Sequence, residues 1–211
     1  MDLGDVRREY EHGTLRRSEL HDDPVAQFEA WYRDAEEAGV PEVNAASLAT
    51  VDAAARPTAR TVLVKYFDAG GFVFFTNTGS RKAADIEVNP EVCLLFFWQP
   101  LERQVIIRGT ADKVSRSETL RYFMRRPHGS QLGAWVSRQS TVFSSRQILA
   151  AQLDKMRRKF SEGSVPMPDF WSGYRVRPRD MEFWQGGRDR LHDRFLYSRA
   201  GTGWTIDRLA P

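Results

Sequence analysis

The residues best suited to chemistry lie between positions 182 and 197. This segment reads Glu-Phe-Trp-Gln-Gly-Gly-Arg-Asp-Arg-Leu-His-Asp-Arg-Phe-Leu-Tyr and combines a pair of adjacent aromatics near its start, a Gly-Gly turn and a dense polar cluster. If residues 190–196 are extended, period-two alternation places Arg190, His192 and Arg194 on one face of a strand. Like charges on one face repel each other, so we expect an anionic or electron-rich ligand there. The alternative is an edge strand whose charges discourage aggregation.

A second anion site is predicted at residues 79–82, Gly-Ser-Arg-Lys, which follow a β-rich segment and open a helix. Free backbone N–H groups, a hydroxyl and two cations converge there, and the helix dipole favours a phosphate at this position. The alternative is a simple capping turn with exposed basic residues.

Two further cations, Arg60 and Lys65, bracket an apolar strand. Because they are five residues apart, strict alternation puts them on opposite faces, and they can share one ligand only through a bulge or a strand end. Gln104 begins another apolar strand, where its amide could meet the edge of a heteroaromatic ring. An exposed strand end explains Gln104 almost as well.

A phenol, a guanidinium and a hydroxyl recur at four-residue steps in Tyr122, Arg126 and Ser130. On a helix they would share one face, although Pro127 must interrupt the helix between them. Together they would form a good phosphate clamp. An ordinary helix surface is the alternative for each residue taken alone.

Several classes of site are excluded by what the sequence lacks. There are four His and one Cys, without zinc-ligand spacing, so we expect no metal site. No Gly-x-Gly-x-x-Gly, Walker-type loop or Gly-x-Ser-x-Gly elbow occurs, which argues against a Rossmann dinucleotide site, a P-loop and a serine hydrolase. Cys93 lies in an apolar run and is expected to act as a small buried hydrophobe.

The apolar patterning predicts a mainly β protein with added helices. Because no βαβ alternation appears, we expect an antiparallel β-barrel rather than a doubly wound sheet. The predicted helices cover residues 24–38, 81–89, 117–125, 130–136 and 144–160, and the predicted strands cover 46–51, 58–67, 71–77, 91–98, 103–114, 174–177, 181–184, 192–197 and 204–208.

Composition favours one globular domain over residues 1–211, with 41% hydrophobic and 28% charged residues. The polar segment 1–20 is expected to be mobile until something orders it, and could act as a lid. The longest apolar run, residues 92–98, is too short to span a bilayer, and no signal peptide is evident, so a cytoplasmic location is expected. The net charge of +3 suits nucleic acid or a phosphorylated ligand, but scattered charges weaken the nucleic-acid interpretation.

Taken in order along almost the whole chain, these blocks closely resemble the pyridoxamine 5′-phosphate oxidase family, flavin enzymes that make pyridoxal 5′-phosphate. The most specific of them is Phe-Phe-Thr-Asn-Thr-Gly-Ser-Arg-Lys at residues 74–82. One departure is Phe75, where many family members have Tyr. The other matching blocks are residues 7–10, 60–65, 102–104, 133–137, 182–187, 190–194 and 206–211.

The resemblance implies an FMN-binding split β-barrel homodimer with the flavin in a cleft between subunits. It also implies oxidation of pyridoxamine or pyridoxine 5′-phosphate by O₂, with release of H₂O₂. By similarity, the residues that contact FMN would be Arg60, Thr61, Val62, Leu63, Val64, Lys65, Phe75, Thr76, Arg81, Lys82, Gln104, Gln139, Ser140, Trp184 and Arg194.

For the substrate, the resemblance implies that Arg190 and His192 are catalytic and face the pyridine ring. Residues 7–10 would close over it. The full substrate set is Arg7, Arg8, Glu9, Tyr10, Lys65, Tyr122, Arg126, Ser130, Arg190, Leu191 and His192.

Three alternatives stay open. A flavin or deazaflavin reductase on a similar barrel would share the phosphate groups but lack the Arg190 and His192 pair. A basic nucleic-acid-binding module is suggested by the pI of 9.2 and by aromatics such as Trp98. Independently of the main site, Arg16, Arg17 and Arg208 could form a second anion site away from the flavin.

Overall fold

Six antiparallel strands close into a barrel in the computed structural model, which describes residues 1–5, 9–11, 13–136, 139–140, 145–161 and 163–211. The strand order is β3-β2-β1-β4-β5-β6, and β6 pairs back onto β3 to close the ring. Two more strands, β7 and β8, extend the sheet from β6. The predicted antiparallel barrel is therefore confirmed. The strands are β1 (Ala45–Val51), β2 (Pro57–Asp68), β3 (Gly71–Asn77), β4 (Glu91–Trp98), β5 (Arg103–Lys113), β6 (Trp171–Gln185), β7 (Asp193–Ala200) and β8 (Gly203–Leu209).

Five α-helices are described, and they begin close to where the capping residues predict. Asp23 accepts hydrogen bonds from the N–H groups of Val25 and Ala26. It is the N-cap of the first helix, which begins at Pro24. Ser115 and Ser145 cap two later helices in the same way. The helices are α1 (Pro24–Glu37), α2 (Arg81–Val88), α3 (Arg116–Met124), α4 (His128–Val136) and α5 (Arg146–Lys159). None of the described helices is long and apolar enough to cross a membrane.

The barrel interior is filled largely by aromatic rings. Phe28 of α1 is fully buried and makes edge contacts with Phe67, Phe72 and Phe96. This packing fixes α1 against the barrel. A separate apolar cluster joins α3, α4 and α5 to the start of β6 and contains the buried Phe123 and Trp171.

β6 is one continuous strand of fifteen residues, whereas the sequence predicted two short ones. Its first half pairs with β3 and its second half with β7, while β5 runs along nearly its whole length. Pro178 fits because the register with β5 shifts between Arg108 and Gly109. A side chain at Gly109 would lie 1.9 Å from the carbonyl oxygen of Arg177, so the bulge needs glycine.

The prediction that residues 190–196 form one extended segment is wrong. β7 begins at Asp193, and Arg188–Arg190 form a 3₁₀ turn in which Asp189 and Arg190 have φ of 53° and 63°. Arg190 therefore does not share a strand face with His192 and Arg194. The turn is required because the chain reverses closely here, with Gly187 packed against the backbone of Leu191.

Candidate active site

Lys82 lies at the centre of a polar cluster at the start of α2. Its ammonium donates to Thr76 Oγ1 at 3.2 Å and to Gln139 Oε1 at 3.0 Å, and Thr76 Oγ1 donates to the same Gln139 oxygen at 3.1 Å. The backbone N–H of Arg81 donates to Ser140 Oγ at 3.2 Å. The end of β3, the first turn of α2 and residues 139–140 therefore meet at one point.

Arg60 enters the same region from β2 and is held by a buried acid. Its Nη1 donates to Thr50 Oγ1 at 2.6 Å, and the Thr50 hydroxyl donates to Asp85 Oδ2 at 2.6 Å. Arg60 Nη2 lies 3.7 Å from the same Asp85 oxygen. Because Thr50 and Asp85 are both buried, this series of hydrogen bonds fixes the direction of the Arg60 guanidinium.

The electrostatics of the cluster favour an anion. Burial lowers the pKa of Lys82, and the nearby Arg60 cation lowers it further. Burial also lowers the pKa of Arg60, as does Arg81, although Asp85 opposes the shift. The hydroxyl of Ser80, the N-cap of α2, is buried and has no hydrogen-bond partner among the described residues. A phosphate would relieve the crowded cations and satisfy this hydroxyl.

Arg126 and Ser130 line a neighbouring cavity of about 320 Å³. Thr76 and Gln139, which contact Lys82, line the same cavity, as does Phe75. Burial lowers the pKa of Arg126, and its Nη1 has no hydrogen-bond partner among the described residues. A second cationic group thus lines a cavity beside the Lys82 cluster.

Lys65 and Tyr122 face a larger cavity of about 750 Å³. Lys65 lies at a bulge, because the register between β2 and β3 shifts between Val64 and Tyr66. Because Arg60 and Lys65 are five residues apart, a regular strand would place them on opposite faces. The bulge at Lys65 allows both to contact one ligand. Burial lowers the pKa of Lys65, and the cation of Arg126, which lines the neighbouring cavity, lowers it further.

Three of the residues predicted to contact FMN form a row across neighbouring strands. Gln104 of β5 pairs with Trp184 of β6, which pairs with Arg194 of β7. The Arg194 guanidinium is compensated: its Nε and Nη2 both lie 2.8 Å from Glu182 Oε1, and Nη1 donates to the Ala210 carbonyl at 2.8 Å. The charge repulsion expected for Arg194 is therefore absent, which corrects the charge argument made from the sequence.

His192 packs in an aromatic group near the same row. Its ring centroid lies 4.6 Å from that of Trp184 and 5.6 Å from that of Tyr10. The N–H of Gly187 donates to His192 Nδ1 at 3.2 Å, so the neutral ring carries its proton on Nε2. Arg190 and Leu191 are exposed beside it.

The described part of the N-terminal segment covers the Gly-Gly turn. The Tyr10 ring lies so close to Gly186 that a Cβ there would be 2.9 Å from Tyr10 Cγ. The N–H of Glu11 donates to Glu102 Oε2 at 2.7 Å, and Glu11 also pairs with Arg188 at 3.6 Å. Glu9 is exposed next to Tyr10. The predicted contacts of Arg7 and Arg8 lie outside the described residues.

The remaining predicted residues lie on β2 or belong to the separate arginine group of Arg16, Arg17 and Arg208. On β2, Val64 is buried and Val62 packs against the core, whereas Thr61 is exposed and Leu63 is half-buried. Arg17 pairs with Asp22, and Arg208 pairs with Asp193. Two of the three guanidiniums proposed for a second anion site are thus already paired within the chain.

Four residues with a part in the site were missed from the sequence. Thr50 and Asp85 orient Arg60, Glu182 neutralises Arg194, and Trp171 contacts Arg126. Thr50 lies 35 residues from Asp85 in sequence, so no local spacing could reveal their contact. The only local indication was that Asp85 follows Arg81 and Lys82 on α2.

The two ends of β6 carry different parts of the site. Trp171, at the start, contacts Arg126, and its neighbour Ser172 pairs with Thr76. Trp184, near the end, contacts His192. At about 3.3 Å per residue the two tryptophans are roughly 40 Å apart along the strand.

The closed antiparallel barrel and its cation-lined pockets define a split-barrel protein whose described pockets present positive charge. Residues 32–160 match the family described as "Pyridoxamine 5'-phosphate oxidase". Residues 171–211 match the "Pyridoxine 5'-phosphate oxidase C-terminal dimerisation region". The chain belongs to the pyridoxamine 5′-phosphate oxidase family.

Similar proteins match over the full length. The chain is 54% identical over 210 residues to a pyridoxine/pyridoxamine 5′-phosphate oxidase of Shewanella amazonensis, covering 100% of this chain and 99% of that protein. It is 56% identical over 214 residues to the protein of the same name in Crocosphaera subtropica, with complete coverage of both. Among solved structures, PhzG of Burkholderia lata, in complex with tetrahydrophenazine-1-carboxylic acid, aligns with a TM-score of 0.88 at 28% identity and covers 94% of this chain and 98% of PhzG.

Proposed function

We propose that the protein is an FMN-dependent oxidase that converts pyridoxamine 5′-phosphate and pyridoxine 5′-phosphate to pyridoxal 5′-phosphate. The observation that carries the proposal is the pair of adjacent anion sites, one around Lys82 and one around Arg126, which share a cavity wall at Thr76 and Gln139. A phosphorylated cofactor and a phosphorylated substrate would need such a pair. The names of the full-length relatives support the same activity.

The residues at the start of α2 fit the phosphate of FMN. Lys82, Arg81 and Arg60 supply positive charge, and the buried Ser80 hydroxyl supplies a donor that the described residues leave unused. Gln104, Trp184 and Arg194 would contact the remainder of the cofactor. When bound, FMN supplies two-electron redox chemistry, so that a hydride equivalent leaves C4′ of the substrate and O₂ takes up the electrons to give H₂O₂.

For the substrate, Arg126, Ser130, Lys65 and Tyr122 would bind the phosphate. Arg190 and His192 would orient the amine or alcohol at C4′, and the Nε2–H of neutral His192 is a hydrogen-bond donor for that purpose. Pyridoxine 5′-phosphate loses two electrons and two protons. The amine substrate also requires one water and releases ammonia.

A homodimer follows from the length of β6. Arg126 and His192 contact opposite ends of this strand, and the strand between Trp171 and Trp184 is roughly 40 Å long by its rise per residue, several times the length of one substrate molecule. This arrangement argues against one chain supplying both residues to the same substrate. We infer that each active site combines the Arg126 region of one subunit with the His192 region of its partner, in agreement with the dimerisation region at residues 171–211.

Tyr10 would close this site. It already packs on Trp184, His192 and Gly186, the group that would face the substrate ring. Glu9 and Tyr10, with the preceding arginines, would exclude water from the reacting carbon.

One assay tests the function directly. We expect the purified protein to be yellow, to release FMN on denaturation, and to form peroxide and pyridoxal 5′-phosphate from either substrate. A flavin-bound protein that forms no peroxide with these substrates would point instead to a reductase. A colourless protein that carries nucleic acid would contradict the proposal altogether.

Sedimentation tests the shared site. The FMN-loaded protein is expected to be a dimer. A monomer that retains FMN and full activity would contradict the two-subunit arrangement.

A further inference from the structure

Trp171 is buried at the start of β6, where it contacts Arg126 and three other aromatic rings, of which Phe123 lies edge-on at 5.2 Å. The Arg126 guanidinium lies over its ring, with Cζ 4.7 Å from the centroid. The Phe75 ring is stacked 5.2 Å away at 11°, and the Tyr122 ring 6.0 Å away at 9°. Phe75 and Tyr122 are themselves stacked at 4.1 Å. Arg126 and Tyr122, which would bind the substrate phosphate, thus both pack against the Trp171 ring.

The strand register explains this arrangement. Phe75 of β3 pairs with Gly173 of β6, and Asn77 pairs with Trp171, so Phe75 and Trp171 lie diagonally on the same face. A Cβ on Gly173 would lie 2.7 Å from Phe75 Cε1. Glycine at this position lets the Phe75 ring lie across β6 toward Trp171.

Besides the Trp171 ring, the Arg126 guanidinium has one more distant aromatic contact among the described residues, with Cζ 5.7 Å from the Phe123 centroid. No carboxylate pairs with its guanidinium among the described residues, and Nη1 is buried without a hydrogen-bond partner there. An arginine in that state depends on its contact with an aromatic face for its orientation. A dianionic phosphate would provide both the missing charge and the missing acceptor.

We propose that Trp171 is a positioning residue for the substrate phosphate, holding the Arg126 guanidinium and the Tyr122 phenol in the arrangement that binds it. In this role the indole acts through these two side chains and needs no contact of its own with the reacting carbon. This role rests on the proposed function, because it assigns the phosphate of the substrate to the Arg126 site.

The test compares Trp171→Leu with Trp171→Phe in the FMN-loaded enzyme. Trp171→Leu is expected to raise KM for pyridoxine 5′-phosphate about 5- to 30-fold, the range of a desolvated cation–π contact. kcat should change by less than about twofold, because uniform binding is lost rather than transition-state stabilisation. Trp171→Phe retains an aromatic face and should recover most of the loss in KM.

A matched control is Trp135→Phe, in the same apolar cluster but away from Arg126, where the indole donates to the Pro166 carbonyl. It should leave KM unchanged. Trp171→Leu combined with Arg126→Ala should have the same KM as Arg126→Ala alone, because the tryptophan acts through the arginine. Additive effects, or a fall in kcat with no change in KM, would overturn the proposal.

Binding of inorganic phosphate to the FMN-loaded protein, measured by calorimetry, separates this role from the proposed function. The cofactor phosphate would already fill the Lys82 site, so added phosphate reports on Arg126. Weaker phosphate binding in Trp171→Leu supports the positioning role even if pyridoxine 5′-phosphate is not a substrate. Equal binding by the variant and the wild type would refute it.

Discussion

The ammonium of Lys82 donates to the amide oxygen of Gln139 at 3.0 Å, joining the first turn of α2 to a stretch 57 residues further along the chain. This contact holds a partly dehydrated cation beside a buried hydroxyl that has no partner among the described residues. It places the charge where a cofactor phosphate would be bound.

Removing that charge is expected to affect cofactor retention more than turnover. Lys82→Ala should weaken FMN binding about 10- to 150-fold, the range for losing a charge-assisted hydrogen bond. Arg190→Ala should lower kcat at least about tenfold while the FMN content stays the same. Flavin absorbance after dialysis and steady-state peroxide formation measure the two effects. Equal losses of FMN in both variants would contradict this division of roles.

The pH dependence of FMN binding should report the state of Lys82. Because its pKa in the free protein is lowered, Lys82 begins to lose its proton below the pH at which an exposed lysine does. A bound phosphate favours the charged form, so binding takes up a proton and FMN affinity should fall as pH rises through the lowered pKa. Lys82→Arg stays charged and should bind FMN with a flatter alkaline dependence in fluorescence titrations. An identical alkaline decline in Lys82→Arg would assign the effect to another group.

Asp85 should stabilise the protein without a bound anion more than the protein with phosphate bound. Asp85→Ala leaves Arg60 without its buried acid and is expected to lower the free energy of unfolding by about 2–3 kcal/mol, less than for a fully buried pair because Arg60 is partly exposed. Inorganic phosphate should restore part of this loss, since the anion supplies the missing charge.

Glu87→Ala is the control for Asp85, since it removes an exposed acid from the same helix. Among the described residues Glu87 forms an ion pair only with the exposed Lys113, so its loss should cost less than about 0.5 kcal/mol. Thermal unfolding with and without phosphate measures both variants. Equal phosphate stabilisation of Asp85→Ala and the wild type would contradict the charge argument.

The Gly-Gly turn should be needed for catalysis. A Cβ at Gly187 would lie 2.3 Å from the carbonyl oxygen of Leu191, so Gly187→Ala must displace the turn that carries Arg190, with about 1–3 kcal/mol of strain. We expect lower kcat with FMN retained. Gly203→Ala, whose added Cβ would lie 3.9 Å from its nearest neighbour, should be close to neutral in the same assays. Wild-type kcat in Gly187→Ala would show that the turn geometry is not required.

The residue types in the sequence were enough to predict the barrel and the grouping of cations at the start of α2, because capping residues, strand alternation and neighbouring cations are local features. Contacts between residues far apart in the sequence could not be predicted from these local features. No role was predicted for Asp85, yet it is buried against Thr50 and Arg60. Likewise, the sequence predicted separate strands at 174–177 and 181–184, whereas Gly109 on the neighbouring strand allows pairing to continue past Pro178.

The segment 190–194 shows why alternation alone misleads. The pattern of charged and apolar residues fits a strand, but Asp189 and Arg190 have left-handed backbone conformations that residue type does not specify. They are imposed by the close reversal at Gly187. The roles of the individual site residues stay predictions, to be decided by the variants above.

The length of β6 has a genetic consequence. If its two ends serve different active sites of a dimer, a subunit with Arg126→Ala and a subunit with Arg190→Ala carry defects that fall together in one site and leave the other intact. Mixing the two inactive proteins under conditions of subunit exchange should therefore restore about a quarter of wild-type activity, since half of the dimers would be mixed and each would have one whole site. Two alleles, each without function alone, would complement one another.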